Sequence, residues 1–144
     1  MAINVPELWY QVIFQPGVVN KLSLVSPYDE CTVKFSCNQH IKEFRAWSIF
    51  GEYDGTQKGL KIVEFTNRDP NVQIDFKINS NNHLKHGNGL YTILLYVEND
   101  EGVSNMYSFL LSTEQDLTNK QLHDVNNLRL LANDPNGEPE PESY

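Results

Sequence analysis

The chain has 144 residues, of which 40% are hydrophobic and 11% aromatic, enough for one closed core and too few for two full domains. Nineteen acidic residues against eleven scattered basic ones give a net charge of −8 and a pI near 4.8, which argues against nucleic acid and anionic membrane as partners. No stretch reaches the length of a membrane span. Residues 1–10 carry neither a basic region nor an apolar run, so a product made in the cytoplasm without a signal peptide is expected.

In chain order, Leu8–Gln15 alternates as a first strand and ends at Pro16-Gly17, and Val18–Val25 reads as a second before the turn Ser26–Asp29. In Cys31–Cys37 the residues Cys31, Val33, Phe35 and Cys37 share one face. The two thiols then lie about 20 Å apart at strand rise, too far for a mutual disulfide, and are expected to be buried and reduced. Ile41–Phe50 is the next strand, followed by the polar, glycine-marked loop Gly51–Gly59. Leu60–Phe65 follows and is broken by Asn67–Asn71, and then Val72–Asn79 alternates without exception. Ser80–Asn88 reads as a loop.

Leu90–Glu98 and Val103–Ser112 form a hairpin about the turn Asn99-Asp100-Glu101-Gly102. Both of its faces are apolar. Tyr91, Ile93, Leu95 and Val97 make one row, and Leu94, Tyr96, Met106 and Leu110 fall on the other. One sandwich core accounts for the first row, whereas the second requires a further cover. Short strands at intervals of about ten residues predict an antiparallel β-sandwich of about 7–9 strands over residues 1–113.

Residues 114–133 are expected to be a C-terminal helix. Thr118 and Gln121 can form a capping box, and Leu122, Val125, Leu128, Leu131 and Ala132 make a stripe that must be buried on something. Residues 134–144 read as an acidic Pro/Glu tail, either solvated or docked on a basic neighbour.

The run Gly89-Leu90-Tyr91-Thr92-Ile93-Leu94-Leu95-Tyr96-Val97, with the following Asp/Gly turn and Val103–Ser112, resembles the penultimate strand and hairpin of immunoglobulin-like domains of bacterial surface proteins and tailed-phage virions. The resemblance covers about 25 residues specifically and the remainder only in architecture. It implies an Ig-like sandwich, a corner tyrosine at Tyr91 whose hydroxyl bonds to nearby backbone, and a role in adhesion or virion structure. It implies no catalytic residue.

Candidate chemistry is sparse. His83-x-x-His86 has ligand-like spacing but no Cys or carboxylate beside it, so no metal is expected there. The acid pairs Asp29-Glu30, Glu52/Asp54 and Asp100-Glu101 lie in turns and match no defined calcium loop. No nucleophile elbow, Walker loop or dinucleotide fingerprint occurs, and neither a cofactor nor an enzymatic activity is expected. The leading expectation is a structural virion component (capsid decoration, head fibre or tail/baseplate) that assembles with virion proteins as a homo-oligomer. Its expected interface is Leu94, Tyr96, Met106, Leu110, Leu122, Val125, Leu128 and Leu131. The alternative is a carbohydrate-binding or adhesion module presenting Trp47 and Tyr53 to a surface glycan.

Overall fold

The computed structural model describes residues 5–14, 30–87, 89–112, 129–130 and 137–142. The fold is all-β, with two antiparallel sheets. Strands β1 (Leu8–Phe14), β2 (Glu30–Cys37) and β5 (Ile74–Asn79) make a three-stranded sheet in the order β1-β2-β5. Strands β3 (Ile41–Phe50), β4 (Leu60–Arg68), β6 (Leu90–Glu98), β7 (Ser104–Ser112) and the two-residue β8 (Arg129–Leu130) make a five-stranded sheet in the order β4-β3-β6-β7-β8.

Period-two patterning drives the pairing of the two sheets. Along β2 every second residue, Cys31, Val33, Phe35 and Cys37, is buried, while its neighbours stay partly exposed. Phe35 stacks on Phe44 of β3 at 4.2 Å between ring centroids, and Phe76 of β5 meets Phe35 edge-on at 6.1 Å. Tyr10 of β1 meets Tyr107 of β7 in a T-shaped contact at 5.8 Å. Each such ring, fully removed from water, contributes about 1.5–3 kcal/mol. Both cysteines are free and buried, as expected, and burial pushes the Cys31 thiol up to about 12, so neither is poised as a nucleophile.

The β6–β7 hairpin runs in unbroken register from Leu90↔Ser112 to Glu98↔Ser104. Its turn closes on Asn99, whose side-chain oxygen accepts from the backbone N–H of Glu101 (3.0 Å) and Val103 (2.9 Å). Gly102 sits at φ 81°, where a side chain would be strained. The Tyr91 hydroxyl donates to the Gly87 carbonyl (2.7 Å) and accepts from the His86 N–H (2.9 Å), the backbone bonding anticipated for this residue.

Several boundaries differ from the sequence reading. β4 continues past Phe65 to Arg68, with Asn67 at φ 53° inside the strand. β5 begins at Ile74, and Val72 is exposed instead of leading the apolar row. Ser80–His83 is a single helical turn, α1, where a loop was expected. The strand expected at Val18–Val25 and the turn at Ser26–Asp29 lie outside the described residues.

The largest correction concerns residues 114–133. The helix expected there has no support: Arg129 and Leu130, the two residues of that span that are described, are strand and pair with Ser108 and Tyr107 of β7. The backbone groups along the free side of β7 offer a ladder to any neighbouring extended segment, and apolar spacing alone carries no information about that competition.

Candidate functional site: the outer face of the five-stranded sheet

The second apolar face anticipated from the hairpin is present. The register places Trp47 of β3 beside Leu94 of β6, and Arg45 beside Tyr96. Tyr96 in turn is opposite Met106 of β7. Trp47, Ile49, Leu94 and Met106 form a hydrophobic cluster separate from the main core, with Tyr53 and Tyr96 packed against it. The Arg45 guanidinium lies over the Tyr96 ring, 4.6 Å from its centroid. Beside this row the β3–β4 register shifts between Ala46, opposite Val63, and Trp47, opposite Lys61, so Ile62 is an inserted bulge residue.

The loop after β3 is fastened over one end of this face. Thr92 on β6 donates its hydroxyl to the Gly51 carbonyl (2.7 Å) and accepts from the Tyr53 N–H (3.1 Å). Those two bonds hold the Tyr53 ring against the cluster.

Residues 137–142 are seated across the same face and along the start of β4. The Glu138 carboxylate takes a bidentate pair from Arg45, Nε to Oε2 at 2.8 Å and Nη2 to Oε1 at 2.7 Å, while Trp47 Nε1 donates to Oε2 at 2.7 Å. Three donors thus converge on one carboxylate, a geometry suited to charge-assisted bonding. The bond to Glu138 is also the main reason that the Arg45 pKa rises further above its ordinary value. Arg45 Nη1 additionally reaches Glu43 at 3.2 Å and Glu64 at 3.6 Å.

Tyr53 donates its hydroxyl to the Gly137 carbonyl (3.0 Å). Gly59 donates to the Glu140 carbonyl and accepts from the Glu142 N–H, both at 2.9 Å, so that Pro141 pairs with it in a parallel bridge. Pro139 is buried. A Cβ at position 59 would stand 2.7 Å from its Cγ and 3.2 Å from Ile49 Cγ1, so only glycine leaves the notch this proline fills. At the far end Glu142 Oε1 lies 2.7 Å from His86 Nε2, and the His86 ring stacks on Phe50 with centroids 5.4 Å apart.

No protein-family model, curated protein or solved structure matches the chain.

Of the expected interface residues, Leu94, Met106 and Leu110 are buried within the single chain and Tyr96 is half-buried. Leu122, Val125, Leu128 and Leu131 lie outside the described residues. Trp47 and Tyr53 are brought together, but as the floor beneath residues 137–139 and not as an open platform; Trp47 is 5% exposed. The exposed tryptophan is Trp9, at 57%.

His83 and His86 do not converge. His83 Nδ1 accepts the Asn79 N–H at 2.9 Å, and burial, aided by Lys85, lowers its pKa. Among the described residues no group of three or more His, Cys, Asp and Glu is gathered as metal ligands. Asp54 accepts from the Thr56 hydroxyl (2.6 Å) and N–H (3.0 Å) within its own loop, and Asp100 pairs with His40 at 2.8 Å.

Sequence reasoning missed the pairing of Arg45 with Glu138, the notch at Gly59 and the contact of His86 with Glu142. The available signal was weak. Glutamates at alternate positions 138, 140 and 142 have strand spacing, and Arg45 is a cation set between the core residues Phe44 and Ala46.

Proposed function

We propose that this chain is a non-enzymatic Ig-like module that works by protein contact, with the outer face of its five-stranded sheet as the working surface. In this reading it serves as an accessory component of a tailed-phage virion and assembles there as a homo-oligomer. The observation that carries the reading is the second apolar cluster, Trp47, Ile49, Leu94 and Met106, which lies outside the inter-sheet core and is covered in the single chain by Tyr53, Tyr96 and residues 137–142, so that it is open to a partner when that strand is displaced.

Two further features support it. The order β1-β2-β5 against β4-β3-β6-β7-β8 is compatible with strands ABE and C′CFG of an Ig-like sandwich, with β8 added at the edge. The Tyr91 hydroxyl makes the corner bonds to Gly87 and His86 that such domains use. One departure is that the third-strand tryptophan, Trp47, belongs to the outer cluster and not to the inter-sheet core.

Sedimentation over a wide concentration range tests the assembly, and antibody labelling of phage particles tests the location. The expected results are a mass that rises above 16.6 kDa with concentration and label on the particle. A single-chain mass throughout, together with glycan-array binding that Trp47→Ala abolishes, would replace this reading with the carbohydrate-binding one.

A further inference from the structure

We propose that the groove formed by Arg45, Trp47, Tyr53, Gly59 and His86 is a binding site for an extended Glu-Pro-Glu-Pro-Glu strand, and that the strand it takes from outside is residues 137–142 of a second copy. The inference rests on the assembly reading above only for its second half, the identity of the occupant.

The groove reads a specific chemistry. One end holds a carboxylate with three N–H donors, a guanidinium fork and an indole. Next comes a notch, left open by Gly59, that accepts the Pro139 ring. The Gly59 backbone then pairs with the strand on both sides of Pro141, a contact any extended peptide can make. The His86 imidazole receives a second carboxylate, four residues after the first. Glu43 and Glu64 flank Arg45, so a densely charged polyanion such as nucleic acid is repelled where a slender strand with spaced carboxylates is accepted.

All of these contacts are made by six consecutive residues near the chain end, to partners that lie far away in sequence. The same six residues on another copy satisfy every donor and the proline notch equally well. Occupancy from within or from outside is therefore set by effective concentration and not by contact chemistry. An open face of one copy would take the arm of the next, and the apolar cluster beneath would stay covered in both.

The test uses the full chain in two variants. Glu138→Ala/Glu142→Ala removes the arm's anchors and leaves the groove, whereas Arg45→Gln damages the groove and leaves the arm; circular dichroism checks the fold of each. A synthetic peptide of residues 136–142 is titrated calorimetrically into the arm variant. Saturable one-to-one binding is expected, and it should weaken about ten- to a hundredfold when Gln replaces the glutamate at peptide position 138. Mixing the two variants should give a heterodimer that neither forms alone.

No peptide uptake by the folded arm variant overturns the site. Peptide uptake without heterodimer formation overturns the second copy as occupant. If both variants oligomerise as the wild type does, the inference falls while the assembly reading stands. Should the double substitution fail to fold, Glu138→Gln replaces it, with the same outcomes deciding.

Discussion

On the inner face of the five-stranded sheet, Phe44, Ile93, Leu95 and Phe109 are covered by side chains of a second sheet. On the outer face Trp47, Ile49, Leu94 and Met106 have Tyr53 and Tyr96 against them, with Glu138 bonded at the rim. The inner cover is apolar, two-dimensional and held by backbone ladders on both sides. The outer cover is partly a single strand, held by the Arg45 and Trp47 bonds to Glu138, the Tyr53 bond to Gly137, the Gly59 bridge, the Pro139 notch and the His86–Glu142 contact. Equal burial therefore hides unequal permanence: local opening is cheapest where few ladder bonds and few apolar contacts must be broken.

The largest effect that could break this contrast is on the inner side. Phe44→Ala removes a fully buried ring stacked on Phe35 and should cost about 3–5 kcal/mol in denaturant unfolding. A cost near that of a surface substitution would mean that the two sheets do not share the core described here. Next comes Glu138→Ala, which strips three donors of their acceptor and should cost about 1–3 kcal/mol. That cost should shrink as salt is added, whereas the cost of Phe44→Ala should not, and equal salt responses would erase the distinction. Tyr91→Phe, which loses the donor to Gly87 and the acceptor for His86, should cost about 1–2 kcal/mol and speed amide exchange at His86.

A gentler probe is pH. Burial lowers the His83 pKa below its ordinary 6.5, so on acidification the unfolded chain takes up this proton first. The contribution of the neutral ring is complete above pH 6.5 and is lost as pH falls from there towards the folded-state pKa. His83→Gln should flatten that part of the stability profile; an unchanged slope would assign it to other groups. Smallest of all, Trp9→Ala on the exposed side of β1 should change stability by no more than about 0.5 kcal/mol.

How far the sequence could be read follows the same division. β3 and β6 were legible to the residue, because Ile41–Phe50 and Leu90–Glu98 are apolar runs bounded by turn residues and are largely buried along their length. The outer apolar row was legible too, since Leu94, Tyr96 and Met106 break a simple inside-outside pattern. What lay over it was not. Residues 137–142 are acidic and proline-rich, and Glu138 acts on Arg45, 93 positions away, through hydrogen bonds that leave no periodic trace. The stripe Leu122–Ala132 meets the structure at its two described residues, Arg129 and Leu130. Its spacing fits a helix, yet at Arg129–Leu130 the backbone ladder of β7 prevails, and hydropathy does not record an available edge.

The placement of the two indoles divides the ultraviolet emission of the protein between two unlike surroundings. Trp9 reports from solvent, whereas Trp47 sits in an apolar cluster with its N–H fixed to a carboxylate. Lifting residues 137–142 would redden and quench the second indole and leave the first unchanged. The chain thus carries an intrinsic fluorescent gauge of whether residues 137–142 are seated.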